Sequence, residues 1–301
     1  MQGLIIENLT VRFGAFKAID NVSINVPPGS VVGLVGESGS GKSTIGRAAS
    51  FMTPYSGKIS LDGKVVSSGD LKYLRSRMQM VFQDPTASLN PRMRVGDSIQ
   101  EAIKVNRAMV PGEVGHYLDM VHLNKELADR YPYELSGGQR QRVAIARVLA
   151  VKPSYIILDE VTSALDVSAQ AAILNLLREL QSKLGLSYLF ISHNLDTVRF
   201  MCDRIAVMYL GRIVEENDAE TFFQNPQHPY SRALLAAVPR LGVRMDHAPL
   251  TGDIMERPRN ATGCRFQDRC PAGPKFKPDR DICRSRDPQD LMKTRGYACH
   301  F

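Results

Sequence analysis

The chain has 301 residues, a hydrophobic content of 44% and a formal net charge of +7. This length allows one large domain, or a large domain with a small one, around a sizeable core. No apolar run approaches the ~18 residues of a membrane-spanning helix, and the N-terminus has no basic segment before a long apolar one. Much of the positive charge follows Met255 without an Arg-rich block or interleaved aromatic residues. We therefore expect a cytoplasmic chain that binds no nucleic acid.

Apolar and alternating segments at 4–13, 24–26 and 31–35 predict strands near the N-terminus. Residues 58–66 contain an Asp-Gly turn and predict a hairpin. Further along the chain, strand patterns alternate with helical ones, which is typical of an α/β fold. We expect a small β-rich layer attached to an α/β core.

The loop after the third predicted strand has the sequence GESGSGKST and fits the phosphate-binding pattern G-x-x-x-x-G-K-S/T. Glycines lack a Cβ, so backbone N–H groups can turn towards phosphate oxygens. The helix predicted over 43–51 directs its positive end at the same anion. The lysine adds a mobile charge, and the serine hydroxyl suits Mg²⁺. The residues expected to bind the nucleotide here are Gly36, Glu37, Ser38, Gly39, Ser40, Gly41, Lys42, Ser43 and Thr44.

Two single residues are further candidates for the nucleotide site. Phe13 ends the first predicted strand, where its ring can stack on a purine; a half-buried strand phenylalanine is an equal alternative. Gln83 is predicted to end the strand in 80–85, where its amide oxygen can approach Mg²⁺ or the attacking water, although such a residue is most often a polar cap. Pro85 is expected to stop any helix from running through this point. The chain to residue 134 then reads as irregular and later helical, with a turn at 111–112.

The string LSGGQ occupies residues 135–139. Ser136, followed three residues later by Gln139, predicts a capping box at the start of a helix that ends before Pro153. Gly137 and Gly138 expose N–H groups at this helix N-terminus, which predicts a second anion site.

The apolar strand predicted at 155–160 ends in two carboxylates, Asp159 and Glu160. Ligands of α/β sheets bind at the carboxyl ends of the strands. Asp159 is therefore expected to help hold Mg²⁺, and Glu160 to act as the general base that activates water. Asp166 follows in a tight turn before a helix and is a further expected nucleotide contact. Another buried strand ends in His193, which is expected to hydrogen-bond the γ-phosphate.

Two further elements are predicted in this part of the chain. The helix after Asp166 is expected to bury the face formed by Ile173, Leu174, Leu177 and Leu180. Residues 204–209 and 212–216 predict a hairpin with its turn at Leu210 and Gly211.

The motifs and their order along the chain resemble the nucleotide-binding subunit of ABC transporters. They are the phosphate loop, Gln83, LSGGQ, ILDE at 157–160, SALD at 163–166 and His193. The resemblance covers about residues 3–220. It implies a P-loop NTPase fold, with a RecA-like core, an antiparallel β subdomain and a helical subdomain at about 84–150.

The resemblance also implies a head-to-tail dimer, in which the phosphate loop of one subunit and the LSGGQ of the other enclose one ATP with Mg²⁺. Phe13 matches the adenine-stacking aromatic, and Glu160, His193 and Gln83 match the catalytic positions. The family usually has proline after the catalytic glutamate, whereas this chain has Val161.

Three short strings resemble the oligopeptide/dipeptide importer ATPases. They are VFQDP at 81–85, SLNP at 88–91 and NPQHPY at 225–230. That group also includes nickel, glutathione and some oligosaccharide importers. The resemblance implies a cassette at 1–222 and a transporter-type extension at 223–301. It further implies a heterodimer with a second ABC ATPase subunit, two transmembrane permease subunits and a substrate-binding protein, at the cytoplasmic face of the inner membrane.

The tail after Pro239 is rich in proline, glycine and charge, and it contains all but one of the cysteines: Cys264, Cys270, Cys283 and Cys299. Such a segment builds little core and needs a covalent or metal link, and disulfides are not expected in a reducing cytosol.

The cysteines have Arg265, Arg269 and Arg284 as neighbours in the sequence, and nearby cations lower thiol pKa values. The residues therefore predict a metal centre of zinc or iron-sulfur type, with free structural thiols as the remaining alternative. The resemblance favours a 4Fe-4S cluster, because some peptide-importer ATPases carry one in this extension.

Two other functions are compatible with an ABC ATPase. A soluble ABC ATPase acting on nucleic acid or ribosomes would be expected to have a long coiled-coil insert or two tandem modules, whereas this chain has a single LSGGQ and no sustained heptads. A non-hydrolysing regulatory partner would be expected to have a damaged motif, whereas the motif residues here are intact.

Overall fold

The computed structural model describes residues 2–105, 113–237 and 262–301. The turn predicted at 111–112 and the start of the tail therefore lie outside the described residues. The chain divides into two compact units. The first comprises Met1–Leu4, Val26–Val31 and Ser60–Phe190, and the second comprises Ile5–Asn25, Val32–Ile59 and Ile191–Phe301.

The strands are β1 (Leu4–Phe13), β2 (Phe16–Val26), β3 (Val31–Val35), β4 (Ser56–Leu61), β5 (Lys64–Val65), β6 (Met78–Val81), β7 (Tyr155–Asp159), β8 (Ser187–Ser192), β9 (Arg204–Tyr209) and β10 (Arg212–Asp218). The helices are α1 (Lys42–Ala49), α2 (Leu71–Arg77), α3 (Pro85–Ser88), α4 (Val95–Val105), α5 (Glu113–Met120), α6 (Gly137–Ala150), α7 (Val167–Leu184), α8 (Leu195–Met201), α9 (Ala219–Gln224), α10 (Pro229–Ala236), α11 (Ile282–Ser285) and α12 (Met292–Arg295). Short 3₁₀ turns occur at Ser68–Asp70, Lys125–Asp129, Pro132–Glu134 and Pro288–Leu291.

The first unit contains a parallel pair, in which β6 runs beside β7 with Met78 opposite Tyr155 and Val81 opposite Leu158. Strand β8 lies on the other side of β7. The strands are almost entirely apolar and buried, as expected for parallel strands covered on both faces. Helix α6 packs against α4 and α5. Helix α7 buries the face that its periodicity predicts, namely Ile173, Leu174, Leu177 and Leu180.

In the second unit, β3 pairs in parallel with β9, and β9 pairs antiparallel with β10. The predicted hairpin turn at Leu210 and Gly211 is confirmed, and both residues have positive φ angles, of 44° and 81°. The C-terminal part of the tail adds to β10, since the Ala298 N–H donates to the Val214 carbonyl at 2.8 Å.

Three local predictions need correction. Strand β2 begins at Phe16 rather than at residue 24, because the polar Asp20 is buried in an ion pair and so breaks the expected apolar alternation. Strand β6 ends at Val81 rather than at Gln83. The stretch after Pro85, predicted to be irregular, begins with the short helix α3; no helix runs through Pro85, as predicted, and proline's missing N–H is not needed in a first turn.

Candidate functional site

The phosphate-binding loop lies in the second unit, between β3 and α1. Gly41 is the N-cap of α1, with a φ of 114°, and the first turn of this helix contains no acidic residue. The Lys42 ammonium is buried and donates hydrogen bonds to the carbonyl oxygens of Gly36 at 2.8 Å and Glu37 at 3.0 Å. The loop is therefore folded around its lysine, and the positive end of α1 is not neutralised by its own first turn.

Two glycines of the loop are required by close packing. A Cβ on Gly36 would stand 2.2 Å from the Met208 carbonyl oxygen, and one on Gly41 would stand 2.7 Å from Ile19 Cδ1. Gly39 instead has a φ of 76°, and a Cβ there would meet nothing within 4 Å, so its backbone conformation is what requires glycine. The loop thus lies directly against β9, with its middle facing open space.

The side chains of this loop differ in accessibility. Ser38 and Gly39 are exposed, and Ser43 and Thr44 are half-buried at the start of α1. Ser40 is fully buried, and among the described residues its hydroxyl has no hydrogen-bond partner. Its carbonyl accepts a 2.8 Å hydrogen bond from the Gly211 N–H, which ties the loop to the hairpin of β9 and β10.

One aromatic ring and one imidazole predicted to contact the nucleotide are exposed in the same unit. Phe13 ends β1 with 55% of its surface exposed, so its ring is not the half-buried strand residue of the alternative interpretation. His193 directly follows β8 and is exposed.

The first unit brings together two of the three residues predicted to be catalytic. Gln83 Nε2 lies 3.4 Å from Glu160 Oε2 and 3.3 Å from Ser163 Oγ. Asp159 is the buried last residue of β7. Glu160 has a φ of 46°, a left-handed conformation that costs a non-glycine residue free energy and that clusters at functional sites.

The predicted capping box is confirmed. The Gln139 N–H donates to Ser136 Oγ at 3.2 Å, and the Ser136 N–H donates to Gln139 Oε1 at 2.9 Å. A Cβ on either Gly137 or Gly138 would make only ordinary contacts, at 3.5 Å. Packing among the described residues therefore does not require glycine at these two helical positions.

Asp166 is the N-cap of α7. Its Oδ1 accepts hydrogen bonds from the Ala169 N–H at 2.9 Å and the Ser168 hydroxyl at 2.8 Å, and these bonds lower the pKa of its carboxyl. The structure therefore gives this residue a local role at the start of the helix, beside any contact with nucleotide.

The four tail cysteines line one cavity in the second unit, together with Phe266, Arg280 and His300 among others. Burial raises the pKa of Cys264 to about 12 and that of Cys270 to about 11. Within the described ranges, no group of three or more His, Cys, Asp or Glu side chains is placed to hold a single metal ion.

The arginines adjacent in sequence to these cysteines do not act as predicted. Arg265 pairs with Asp20, Arg269 pairs with Glu37, and Arg284 lies 3.3 Å from Asp281. The positive charge that lowers the pKa of Cys270 is Arg280, and burial outweighs it. The expectation that nearby cations lower the thiol pKa values was wrong for Cys264, Cys270 and Cys283, because burial raises all three pKa values and the neighbouring arginines pair elsewhere.

The sequence did not predict the contacts that the C-terminal extension makes with Glu37 of the phosphate loop. Arg269 donates to both carboxylate oxygens of Glu37, and Tyr230 Oη accepts from the Glu37 N–H at 2.9 Å. Sequence separations of 232 and 193 residues leave no local pattern from which these contacts could be found.

Comparison with known proteins agrees with this geometry. Residues 19–163 match the ABC transporter family, and residues 214–275 match the family described as Oligopeptide/dipeptide transporter, C-terminal region. A relative from Brucella ovis, named for peptide import and ATP binding, is 45% identical over 288 residues, which are 92% of this chain and 89% of the relative. The chain belongs to the ABC transporter ATP-binding family.

Further relatives and solved structures support the same assignment. A Brucella abortus protein of the same description is 45% identical over 95% of this chain and 86% of its own length. A structure of cbiO1 from Clostridium perfringens, part of the ABC transporter complex cbiONQ, has a TM-score of 0.67 and 31% identity over 75% of this chain and 92% of its own. A dimeric ATP-binding cassette bound to ADP and Pi has a TM-score of 0.64 and 30% identity over 72% of this chain and 98% of its own. The chain is an ABC-type ATPase with the fold of a P-loop NTPase, as predicted.

No helix of the described residues is long and apolar enough to cross a membrane.

Proposed function

We propose that this ATPase powers the import of peptides or related small solutes by a membrane ABC transporter. The observation that carries the proposal is the presence, in one chain, of an ABC cassette and an oligopeptide/dipeptide transporter C-terminal region. The names of relatives that match almost the whole chain support the same substrate class. They favour import over a soluble ATPase that acts on nucleic acid or ribosomes.

ATP is held between two ATPase subunits in this proposal. Glycine is a poorer helix former than alanine, yet nothing described in the chain crowds Gly137 or Gly138. Their lack of side chains is explained if a phosphate from a partner's nucleotide approaches the start of α6. The dimeric neighbour with ADP and Pi supports this arrangement.

The site residues divide between binding and chemistry. Lys42 and the N–H groups of the phosphate loop bind the β- and γ-phosphates, and Ser136, Gly137, Gly138 and Gln139 of the other subunit bind the γ-phosphate. Glu160 accepts the proton of the attacking water, and Gln83, within reach of it at 3.4 Å, orients that water. His193 hydrogen-bonds the γ-phosphate, and the exposed Phe13 ring stacks on adenine.

Mg²⁺ accompanies the nucleotide. The residues that would offer it oxygen atoms are Ser43, through its hydroxyl, Gln83, through its amide oxygen, and Asp159, through its carboxylate. These are hard oxygen donors, which Mg²⁺ prefers. When bound, the metal would supply positive charge to offset the charge of the phosphates during hydrolysis.

The assembly is proposed to pair this chain with a different ABC ATPase subunit. Two transmembrane permease subunits and a substrate-binding protein complete the importer, and the ATPases lie at the cytoplasmic face of the inner membrane. We retain 1–222 as the cassette, with a helical subdomain at about 84–150, and 223–301 as the extension.

The cysteine cavity is proposed to hold a 4Fe-4S cluster. The support for this proposal is the shared cavity and the type of ligand, since the described residues show no preformed group for a metal ion. Four cysteines around one cavity suit a cluster, which is larger than one ion and takes four thiolate ligands. Cys264, Cys270, Cys283 and Cys299 would ligate the irons, and the cluster would supply a cross-link for a segment with little core.

Transport is tested by deleting the gene from its source organism and measuring uptake of radiolabelled di- and oligopeptides. We expect uptake to fall, to return with the wild-type gene, and to stay low with Lys42→Ala. Copurification of the tagged chain with membrane subunits is the second expected result. Unchanged uptake of every peptide, with no membrane subunit recovered, contradicts the importer.

The cluster is tested by anaerobic purification of the full chain. We expect a brown protein with visible charge-transfer absorption and four irons per chain. A colourless protein with stoichiometric zinc, or with no metal, contradicts the cluster while leaving the ATPase assignment intact.

A further inference from the structure

The second residue of the phosphate loop, Glu37, is held by hydrogen bonds at its N–H, its carbonyl and its carboxylate. The carbonyl accepts from the Ser40 N–H at 3.2 Å and from Lys42 Nζ at 3.0 Å. The N–H donates to Tyr230 Oη at 2.9 Å. The carboxylate receives Arg269 Nη1 at 3.0 Å and Nη2 at 3.3 Å. The first two contacts are internal to the loop, whereas Tyr230 and Arg269 belong to the C-terminal extension.

The guanidinium and the carboxylate form a two-pronged pair, the geometry in which such ions bind most strongly. The side chains are 9% and 27% exposed, so water screens the pair weakly. Removing one partner of such a pair leaves an uncompensated charge in a poorly hydrated position. Arg269 therefore fixes the place of the Glu37 carboxylate and balances its charge within the pair.

The partners of Glu37 are themselves rigidly packed. Tyr230 is fully buried, and its ring lies 4.7 Å from that of Tyr209 and 5.3 Å from that of Phe266. Arg269 lies over the Tyr209 ring at 5.9 Å from its centroid. An aromatic cluster of β9, α10 and the tail thus supports the two groups that hold the loop.

The sign of the Glu37 charge makes this support relevant to nucleotide binding. A carboxylate within a loop that accepts a triphosphate repels the ligand, and an unpaired one competes with phosphate for Lys42. The bond from Arg269 cancels that charge and directs the carboxylate towards the extension.

We propose that Arg269 is a positioning residue for ATP binding, which neutralises Glu37 and holds the phosphate loop from the C-terminal extension. The inference rests on the proposed role of residues 36–44 in binding ATP. It assigns to the extension a function in the nucleotide site, beside any function of its cysteines.

The test is equilibrium binding of a non-hydrolysable ATP analogue with Mg²⁺ to the full chain. For Arg269→Gln we expect about tenfold weaker binding, because the Glu37 carboxylate is left unpaired in the phosphate loop and repels the triphosphate. The deficit should shrink at about 1 M salt, where the Debye length is about 3 Å. Arg269→Lys, which keeps the charge and loses the fork, should bind with an intermediate affinity.

The double variant Glu37→Gln/Arg269→Gln separates charge from structure. Because it removes the repelling carboxylate, we expect its affinity to return to within about threefold of the wild type. Arg284→Gln is the matched control, since it removes an exposed arginine of the same tail whose carboxylate partner is Asp281. Thermal unfolding of each nucleotide-free variant measures folding separately from affinity.

Several results would overturn the inference. The inference fails if folded Arg269→Gln binds the analogue with wild-type affinity. It also fails if Arg284→Gln loses as much affinity as Arg269→Gln. A double variant as weak as Arg269→Gln shows that charge is not the cause. Lys42→Ala separates the two proposals. If Lys42→Ala binds the analogue normally, the nucleotide site itself is wrongly assigned. If Lys42→Ala does not bind the analogue but Arg269→Gln binds it normally, only the positioning role of Arg269 is refuted.

Discussion

Gln83 Nε2 lies 3.4 Å from Oε2 of Glu160, just beyond the carboxyl ends of the adjacent parallel strands β6 and β7. The residues are 77 positions apart in the chain. Parallel pairing brings them together, because it places the ends of both strands at one edge of the sheet. Glu160 itself has a left-handed φ of 46°. This pair is the basis of the first prediction.

Glu160→Gln is expected to retain ATP binding and to lower hydrolysis by about 10²–10⁴-fold, the usual contribution of a positioned general base. The amide is nearly isosteric and cannot accept the water's proton. Phosphate release and analogue affinity are measured in parallel. Glu126 is an exposed carboxylate of the same unit, and Glu126→Gln is the control that should hydrolyse ATP normally. Normal hydrolysis by Glu160→Gln would show that Glu160 is not the general base.

Gly137→Ala and Gly138→Ala are expected to fold at least as well as the wild type and to hydrolyse ATP poorly. The added Cβ makes contacts no closer than 3.5 Å, and alanine is a better helix former than glycine. Activity should nevertheless fall by tenfold or more in the assembled ATPase, because the methyl group blocks the approach of phosphate. The unfolding temperature and the hydrolysis rate are the two measurements.

Gly36→Ala provides the contrast. Its Cβ would stand 2.2 Å from the Met208 carbonyl oxygen, so both stability and activity should fall. If Gly137→Ala and Gly138→Ala lose stability in the same way, the argument that their glycines serve a ligand is wrong.

Asp20→Asn is expected to destabilise the second unit by about 2 kcal/mol or more at pH 7. Asp20 lies between Arg212, at 2.6 Å, and Arg265, and its side chain is 7% exposed. Burial alone would raise the pKa of this carboxyl, but hydrogen bonds from Lys17 and Arg212 outweigh burial and hold it at about 2. Each pKa unit corresponds to about 1.4 kcal/mol.

The sign of the pH dependence follows from that lowered pKa. The stabilisation is complete above the ordinary pKa of about 3.9 and is lost as the pH falls through about 2. Urea unfolding at pH 7 and pH 3 should therefore show the difference between wild type and Asp20→Asn shrinking at the lower pH. An equal difference at both values would mean that the charge of Asp20 is not what stabilises the fold.

Cys270→Ala is expected to lose bound iron, whereas Cys202→Ala is expected to retain it. Cys270 lines the cavity shared by the tail cysteines, and Cys202 is buried at the end of α8 with its sulfur near Gly33. Iron and visible absorption per chain are measured after anaerobic purification. Equal iron in the two variants would exclude Cys270 as a ligand.

Much of the fold was accessible from short-range patterns. The bounds of β1 and β3, the buried face of α7, the Asp-Gly and Leu-Gly turns and the capping box of Ser136 and Gln139 all agree with prediction. These features depend on neighbours within a few residues, so periodicity and turn chemistry are sufficient to find them. The start of β2 and the helix at Pro85 were missed because a distant ion pair buries Asp20 and because proline can begin a helix as well as end one.

The sequence by itself determined which local elements form and which motif residues are available for nucleotide chemistry. Only the tertiary structure decided that Arg269 reaches Glu37 across 232 residues, that Asp20 receives Arg212 across 192, and that the tail cysteines line one cavity while their neighbouring arginines pair elsewhere. The physical reason is the range of the interactions. Turns and caps are fixed by adjacent backbone groups, whereas the partner of a buried charge is chosen by whichever segment the completed fold brings within a few ångströms of it.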